Sequence, residues 1–297
     1  MKLRIITEPR LPNSSFRLTT SMLNSMPDFS GHIIKSLHRI IDSNTDKKDR
    51  LNNSLRLLSK WRSVLIQNTL IEQNGCTVIN GPLKGLNFLE ESAEGCHVAK
   101  LLGCYEQPLH AHIEQAIKRG YKKIVNIGSA EGYYAVGIAL RLPEAEIHAF
   151  DTDINAQNSC IELARKNAVE ERVQVSGLFS PEQFSDYAGG ESLVLCDIEG
   201  AEAELLDPKL SPALGSIDLI IEAHECLRPG VTALLMNRFS DTHEITLVED
   251  SGFRNLETVP PWFQKLAHLD QILATWEWRS GPTPWLVMKS LQSSPSV

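Results

Sequence analysis

The 297-residue chain lacks most of the features that settle a protein's class at first reading. Its six cysteines (Cys76, Cys96, Cys104, Cys160, Cys196 and Cys226) contain no C-x-x-C pair and no regular spacing. That excludes a zinc ribbon or a disulfide scaffold and predicts reduced thiols in a cytosolic protein. No stretch approaches the roughly 18 uninterrupted apolar residues of a membrane span. The opening from Met1 to Leu11 has no apolar core for a secretory signal, so the expected compartment is the cytoplasm. Internal repeats and low-complexity tracts are missing. So is an excess of positive charge: 29 Lys+Arg face 37 Asp+Glu, a formal net charge of −8. This weighs against a nucleic-acid binder held by phosphate contacts.

What is present is an ordinary globular composition, 42% hydrophobic and 22% charged. The length suffices for one large α/β core with an appendage. Charge is unevenly spread, since the first 60 residues carry 11 Lys+Arg against 5 Asp+Glu and the remainder 18 against 32. A basic N-terminal region, read as a solvated helical extension or as a docking arm for an acidic partner, thus precedes an acidic body. Leu51, Leu55, Leu58, Trp61 and Leu65 recur at three-to-four spacing and predict a helix from about Leu51 to Asn68. Thr77–Asn80 reads as a short strand followed by the turn Gly81–Gly85. The boundary between extension (1–75) and main domain (76–297, core about 100–290) is placed there.

From Glu106 onward strands alternate with helices. A helix over Glu106–Arg119 closes at Gly120. Strands are expected at Lys123–Ile127, Glu146–Phe150, Arg172–Ser176, Ser192–Cys196 and Ile217–Glu222, with helices ending near Arg141 and Asn167, around Glu202–Leu206 and over Pro229–Arg238. Two later strands, Glu244–Val248 and Trp285–Met288, flank a helix near Gln264–Trp276. The pattern predicts an α/β, Rossmann-like, seven-stranded and mostly parallel sheet with helices on both faces. Sheets of this kind bind ligands at the carboxyl ends of their strands.

The first strand runs into Gly128-Ser129-Ala130-Glu131-Gly132, a glycine-containing turn that opens a helix. Such a turn suits close approach of a ligand to the backbone, with free helix N–H groups behind it; equally, it serves packing alone. Asp151 ends the next strand, 19 residues after Gly132, where a carboxylate can accept both hydroxyls of a ribose; its alternative role is a helix cap. Together the two signals indicate a nucleoside-containing cofactor. The dinucleotide pattern G-x-G-x-x-G is not met, because Ala130 stands at the second glycine and Tyr133 at the next position.

On Val125–Gly132, His148-Ala149-Phe150-Asp151, Leu163–Asn167 and Leu195–Glu202, the chain resembles class I S-adenosylmethionine-dependent methyltransferases over roughly residues 100–290. The run Asp197-Ile198-Glu199-Gly200-Ala201-Glu202 resembles the FkbM-type branch, whose members commonly methylate hydroxyls of sugars, polyketides or other small molecules. The resemblance implies S-adenosylmethionine as cofactor and a cofactor site at Tyr105, Glu106, Asn126, Gly128, Ser129, Ala130, Gly132, Tyr133, Asp151, Thr152, Leu178, Phe179 and Asp197. Within it, Asp151 holds the ribose, Phe179 walls the adenine, and Tyr105 and Glu106 approach the methionine end. Asn126 stands where an acidic residue is commonest, and an amide cannot supply charge to the methionine amino group.

Asp197, Glu222 and His224 are expected to converge at the carboxyl edge. They are the candidate catalytic groups that bind an acceptor hydroxyl or remove its proton. The bland alternative makes Asp197 and Glu199 caps of the following helix. The same trio, Asp197, Glu222 and His224, is also a candidate set of ligands for a divalent metal, Mn²⁺ or another transition ion suiting an imidazole better than Mg²⁺. Cys196 and Cys226 lie in apolar patterns and read as core; Trp276 and Trp278 read as acceptor-pocket wall or as packing. The expected function is methyl transfer, with a small molecule, sugar or lipid hydroxyl as acceptor and no nucleic-acid partner. A nicotinamide-dependent oxidoreductase and a non-catalytic cofactor-binding protein are the alternatives. The paired last strands argue against the former, and a usable base would argue against the latter.

Overall fold

The structure is a computed structural model that describes residues 28–90, 96–279, 281 and 283–292. The segment from Met1 to Leu11 and the rest of the basic region before residue 28 lie outside the described residues. Two helices, α1 (Phe29–Ile41) and α2 (Lys47–Asn74), come first. Each is started by an aspartate that accepts a backbone N–H of the first turn, Asp28 from Gly31 and Asp46 from Lys48, both at 2.8 Å. α2 overruns the predicted Leu51–Asn68 at both ends because Asp46 caps it and Gly75, at φ 70°, ends it. Its two halves differ. Leu51 is 72% exposed, whereas Val64, Ile66 and Leu70 are buried, and Ile66 and Leu70 belong to the same core cluster as Ile124 and Ile147 of the sheet. Arg62 also grips Asp270 with two hydrogen bonds of 2.7 and 2.6 Å.

The expected strand at Thr77–Asn80 is only a single bridge between Thr77 and Asn87. α3 (His97–Leu102) follows, then a 3₁₀ turn Gln107–Leu109 and α4 (His110–Arg119), which ends at a left-handed Gly120 as expected. The predicted helix cannot begin at Glu106, because Glu106 itself is left-handed at φ 51°.

The seven strands are β1 (Lys123–Ile127), β2 (Glu146–Phe150), β3 (Val173–Ser176), β4 (Ser192–Cys196), β5 (Asp218–Glu222), β6 (His243–Val248) and β7 (Trp285–Ser290). They form one sheet in the order β3-β2-β1-β4-β5-β7-β6, Rossmann-like over its parallel part. β7 is antiparallel to both β5 and β6. The connecting helices are α5 (Tyr133–Arg141), α6 (Ile154–Lys166), α7 (Glu202–Leu205), α8 (Val231–Phe239) and α9 (His268–Thr275). The helix expected over Gln264–Trp276 is a 3₁₀ turn and α9, separated where Leu266 adopts extended backbone.

Strands buried on both faces read as nearly continuous apolar runs, and the two-residue period sorts their side chains between two cores. Ile124, Ile147, Leu195, Ile220 and Trp285 face one core, which α2 joins; Val125, Phe150, Cys196, Ile221 and Leu286 face the other with Phe239 of α8. Asn126 and Glu222 are in phase with Ile124 and Ile220, so they are polar residues at the carboxyl ends of first-core rows. The cysteines are free; five are buried, but Cys226 is exposed, contrary to the core expectation. It lies in a turn after β5, which has no sheet or helix face to bury it.

If the second half of α2 is structural core, Leu70→Ala should cost about 2–5 kcal/mol in urea-induced unfolding. Leu51→Ala should change stability by less than about 0.5 kcal/mol. Equal small effects would show that α2 is a dispensable appendage throughout.

Candidate active site

Strand register assembles the site. Ile127 pairs with Phe150 on one side and Cys196 on the other, and Cys196 pairs with Ile221. The residues that follow these partners, Gly128, Asp151, Asp197 and Glu222, therefore stand side by side along one edge. The order of the chain reverses between β1 and β4, which is where open α/β sheets place ligands. A cleft of about 570 Å³, counting its open mouth, lies there on the first-core side. Its walls include Lys100, Tyr105, Glu106, Asn126, Gly128, Ser129, Ala130, Tyr133, Tyr134, Asp197, Glu222 and Trp285.

The glycine turn is as tight as its sequence suggests, with Gly128 at φ 77°, Ala130 at 45° and Gly132 at 89°. The reason for Gly128 is not ligand approach. A Cβ there would lie 1.6 Å from the Asp197 carbonyl oxygen, and one on Gly132 would lie 2.6 Å from Cys160 Sγ on α6. Both glycines let protein segments close on one another. Asp151 braces the turn, one carboxylate oxygen accepting from the Ala130 N–H at 2.9 Å and the other from the Asp153 N–H at 2.8 Å. It is not the helix cap: Asp153 caps α6. Nor does Asp197 or Glu199 cap α7, whose N-cap is Ala201 without any side-chain bond.

Of the other anticipated residues, Tyr105, Glu106, Asn126, Ser129 and Tyr133 line the cleft. Phe179 does not. Its ring is buried among Phe150, Phe184 and Tyr187, with centroids 4.9, 4.8 and 6.2 Å away, while Leu178 and Thr152 are exposed. Trp276 and Trp278 pack against the core as partly buried rings, and Trp285 is the tryptophan in the cleft wall.

Asp197, Glu222 and His224 do converge, with one candidate ligand atom of each within 4.8 Å of the others. Each is already engaged. His224 Nδ1 lies 2.7 Å from Glu202 Oε1, and its Nε2 lies 3.5 Å from Asp197. Glu202 is fully buried and also accepts the Gly200 N–H at 3.0 Å. Burial pulls the His224 imidazole down, but the Glu202 hydrogen bond and the Glu222, Glu202 and Glu199 charges outweigh it. Its pKa therefore lies above the ordinary value. Glu222 is paired with the Arg279 guanidinium. The Arg279 guanidinium thus takes up part of the charge that Glu222 would offer a divalent ion.

Arg279 is a hub that the sequence reading passed over. It also bonds Glu106 at 2.7 Å and Glu277 at 3.0 Å and stacks on Trp285, 5.1 Å from the ring centroid. Arg254 completes the network with Glu277 and with Asp250 at 3.2 Å. Two guanidinium groups thus meet four carboxylates in the protein interior. Removing one partner of such a network leaves uncompensated buried charge. Burial, followed by repulsion from Glu222, pushes the Glu106 carboxyl up to about 7 against the pull of Arg279, and Tyr134 donates to it at 2.6 Å. Of the five non-glycine residues with positive φ among the described residues, Glu106, Ala130, Glu199 and Trp278 belong to this edge or its immediate sequence neighbours. Backbone held in that region costs on the order of 1–3 kcal/mol and concentrates at functional sites. Lys100, also unanticipated, forms a buried ion pair with Glu131 of the glycine turn, its ammonium 5.1 Å from the Tyr105 ring centroid.

No protein-family model matches the sequence, and no curated protein matches it. Solved structures similar to the chain include human methyltransferase 10 domain containing protein, 11% identical with a TM-score of 0.45 over 78% of this chain and 97% of that one. An O-methyltransferase from Streptomyces achromogenes involved in tomaymycin synthesis, in complex with SAM, is 14% identical with a TM-score of 0.41 over 68% and 83%. The O-methyltransferase from Bacillus cereus in complex with SAH is 12% identical with a TM-score of 0.39 over 59% and 78%.

Proposed function

We propose that the protein is an S-adenosylmethionine-dependent methyltransferase of the FkbM type that acts on a hydroxyl of a small molecule, sugar or lipid. The observation that carries this reading is the His224–Glu202 pair, which holds an imidazole beside Asp197, itself a residue of the cleft wall. The cleft walls fit the cofactor in two respects. Glu106, Asp197 and Glu222 give them acidic character, which favours a sulfonium cation and disfavours the diphosphate of a nicotinamide dinucleotide. The Ser129 hydroxyl is buried in the same wall with no hydrogen-bond partner in the protein, as a ligand-binding group would be.

When bound, S-adenosylmethionine supplies an electrophilic methyl group. The residues of the chain would do the rest. Each Asp151 oxygen accepts one backbone N–H and has a second lone pair, so the carboxylate can take the ribose hydroxyls while bracing the turn. Glu202 accepts the His224 Nδ1–H, fixing the tautomer that leaves Nε2 able to accept a proton. Asp197, 3.5 Å from that nitrogen, stabilises the imidazolium once the acceptor hydroxyl has given up its proton. Glu222, paired with Arg279, shapes the acceptor end and is not the base. A non-catalytic binding protein has no need of a base so held.

Calorimetry should detect binding of S-adenosylhomocysteine and none of NAD. Asp151→Ala should weaken the former about 10–100-fold, as expected for loss of hydrogen bonds to a charged acceptor. Absence of S-adenosylhomocysteine binding would overturn the proposal.

In an acceptor screen, His224→Asn should lower kcat by about 10²–10⁴. The rate should fall as pH drops through the His224 pKa, because an imidazolium cannot accept the proton. Glu202→Gln removes a group that raises this pKa, so NMR titration of the imidazole and the acid limb of the rate profile should both move to lower pH. A limb that stays in place would remove His224 from the role.

With Glu222 held by Arg279, turnover is expected to be unchanged by EDTA. Loss of activity on chelation, restored by Mn²⁺ or Mg²⁺, would reinstate the trio as a metal site.

A further inference from the structure

The α1–α2 hairpin carries an apolar row that folding does not use. Ile34 and Ile41 on α1, and Leu51, Leu55 and Leu58 on α2, are all exposed. Each directly follows a residue turned inward: Ile33 and Ile40 on α1, then Arg50, Ser54 and Leu57 on α2, of which Ile33 is buried and the others half-buried. One residue advances an α-helix by about 100°, so each row lies just over a quarter-turn from the side of its helix that packs, and to the same hand. The helices rest on one another across a short connection, with Arg50 donating to the Ile41 carbonyl at 2.7 Å, so they run antiparallel. Equal offsets of one hand then bring both rows to the same face of the hairpin.

Cations border that face. Lys47 and Lys48 stand one turn before Leu51, on either side of its row, and Lys35, His38 and Arg39 flank the row of α1; all five are exposed. Of the four aspartates in the hairpin, Asp28 and Asp46 are engaged as caps, Asp49 falls on the far side of α2, and Asp42 stands by the α1 row. The hairpin also leaves the body at the edge where the cleft opens. The first buried side chain of α2 is Ser63, and just before it the Lys60 ammonium lies 4.8 Å from the Trp278 ring centroid. Trp278 precedes Arg279, which bonds Glu106 and Glu222 of the cleft wall. β6 runs in the direction of β5 and ends at this edge too, and Phe253, shortly beyond it, is 86% exposed.

An apolar row bordered by cations matches a surface that is apolar beneath and anionic on top, the boundary of an acidic lipid bilayer. A second copy of the hairpin matches it poorly, because pairing would set like charges against one another. No helix among the described residues is long and apolar enough to cross a membrane, so the contact is with its surface. We propose that the hairpin docks the protein on an anionic bilayer through Ile34, Ile41, Leu51, Leu55 and Leu58. The mouth of the cleft then faces the lipid, with Phe253 as a further contact. This docking goes beyond the methyltransferase reading and does not depend on it.

The test is co-sedimentation of the full chain with vesicles of phosphatidylcholine, alone or mixed in equal parts with phosphatidylglycerol. Binding should favour the mixed vesicles by about tenfold and weaken as salt rises. Leu51→Gln combined with Leu55→Gln should bind them about tenfold more weakly, with thermal unfolding close to wild type because neither side chain is in the core. Lys47→Gln combined with Lys48→Gln should weaken binding by a similar factor and flatten its salt dependence. Phe253→Ser should weaken it about threefold; unchanged binding would overturn the placement of the cleft against the lipid. Failure of the wild type to bind mixed vesicles, or equal binding to both kinds, would overturn the docking. A dimer in sedimentation equilibrium that the double leucine variant dissolves, without vesicle binding, would assign the face to a second copy instead. A chain that binds S-adenosylhomocysteine but no vesicle rejects the docking alone, and one that binds vesicles but not S-adenosylhomocysteine rejects only the methyltransferase reading.

Discussion

The approach of the β1 turn to the chain leaving β4 is the constraint on which the site depends. Gly128 sits so close beneath the Asp197 carbonyl that no side chain fits between them. That contact lets two neighbouring parallel strands turn away in opposite directions at the same level, which opens the cleft. It also joins two parts of the edge in space, since the turn rests on the segment bearing Asp197. Asp151 adds a third tie from β2 through the Ala130 N–H. Three strand ends are thus locked before any ligand arrives, and a preorganised edge loses less freedom on binding.

Much of this architecture was legible because parallel strands buried on both faces leave an unmistakable trace. The runs Lys123–Ile127, Glu146–Phe150 and Ser192–Cys196 match their observed strands residue for residue. Helix ends with a chemical marker, such as Gly120, were equally readable. Where the marker was tertiary the reading drifted. Glu106 is helix-compatible by composition, and only the fold around it forces a left-handed backbone. Thr77–Asn80 has the composition of a strand but finds no ladder to join beyond one bridge.

The site divides along the same line. Residues fixed by strand register, namely Gly128, Asp151, Asp197 and Glu222, could be placed from the chain alone, because each follows a strand whose end was visible. Their partners could not. Arg279 reaches Glu106 across 173 positions and Glu222 across 57, and no local pattern marks such an encounter. Glu202 was in view as the last letter of the D-I-E-G-A-E run, yet its bond to His224 depends on how α7 packs beside the end of β5. Phe179 shows what the chain alone hides: an aromatic after a strand looks like a ligand wall, and the three rings packed on it come from the fold.

The distribution of charge then acquires a physical meaning. The acid excess of the main body could have been dispersed over solvated surface, where it would matter little. Part of it is instead driven inside, as Glu106, Glu222, Asp250 and Glu277 around Arg254 and Arg279, and as Glu131 against Lys100. Burying charge in this way is poor economy for stability alone, because apolar packing of the same volume commonly does as well or better. The arrangement makes sense as a field held in place for something else. With Asp197 added, the carboxylates at and behind the cleft outnumber the cations, and the one lysine in its wall stands on the glycine turn. A ligand with a positive centre would complete that field, whereas an anionic one would leave it unbalanced.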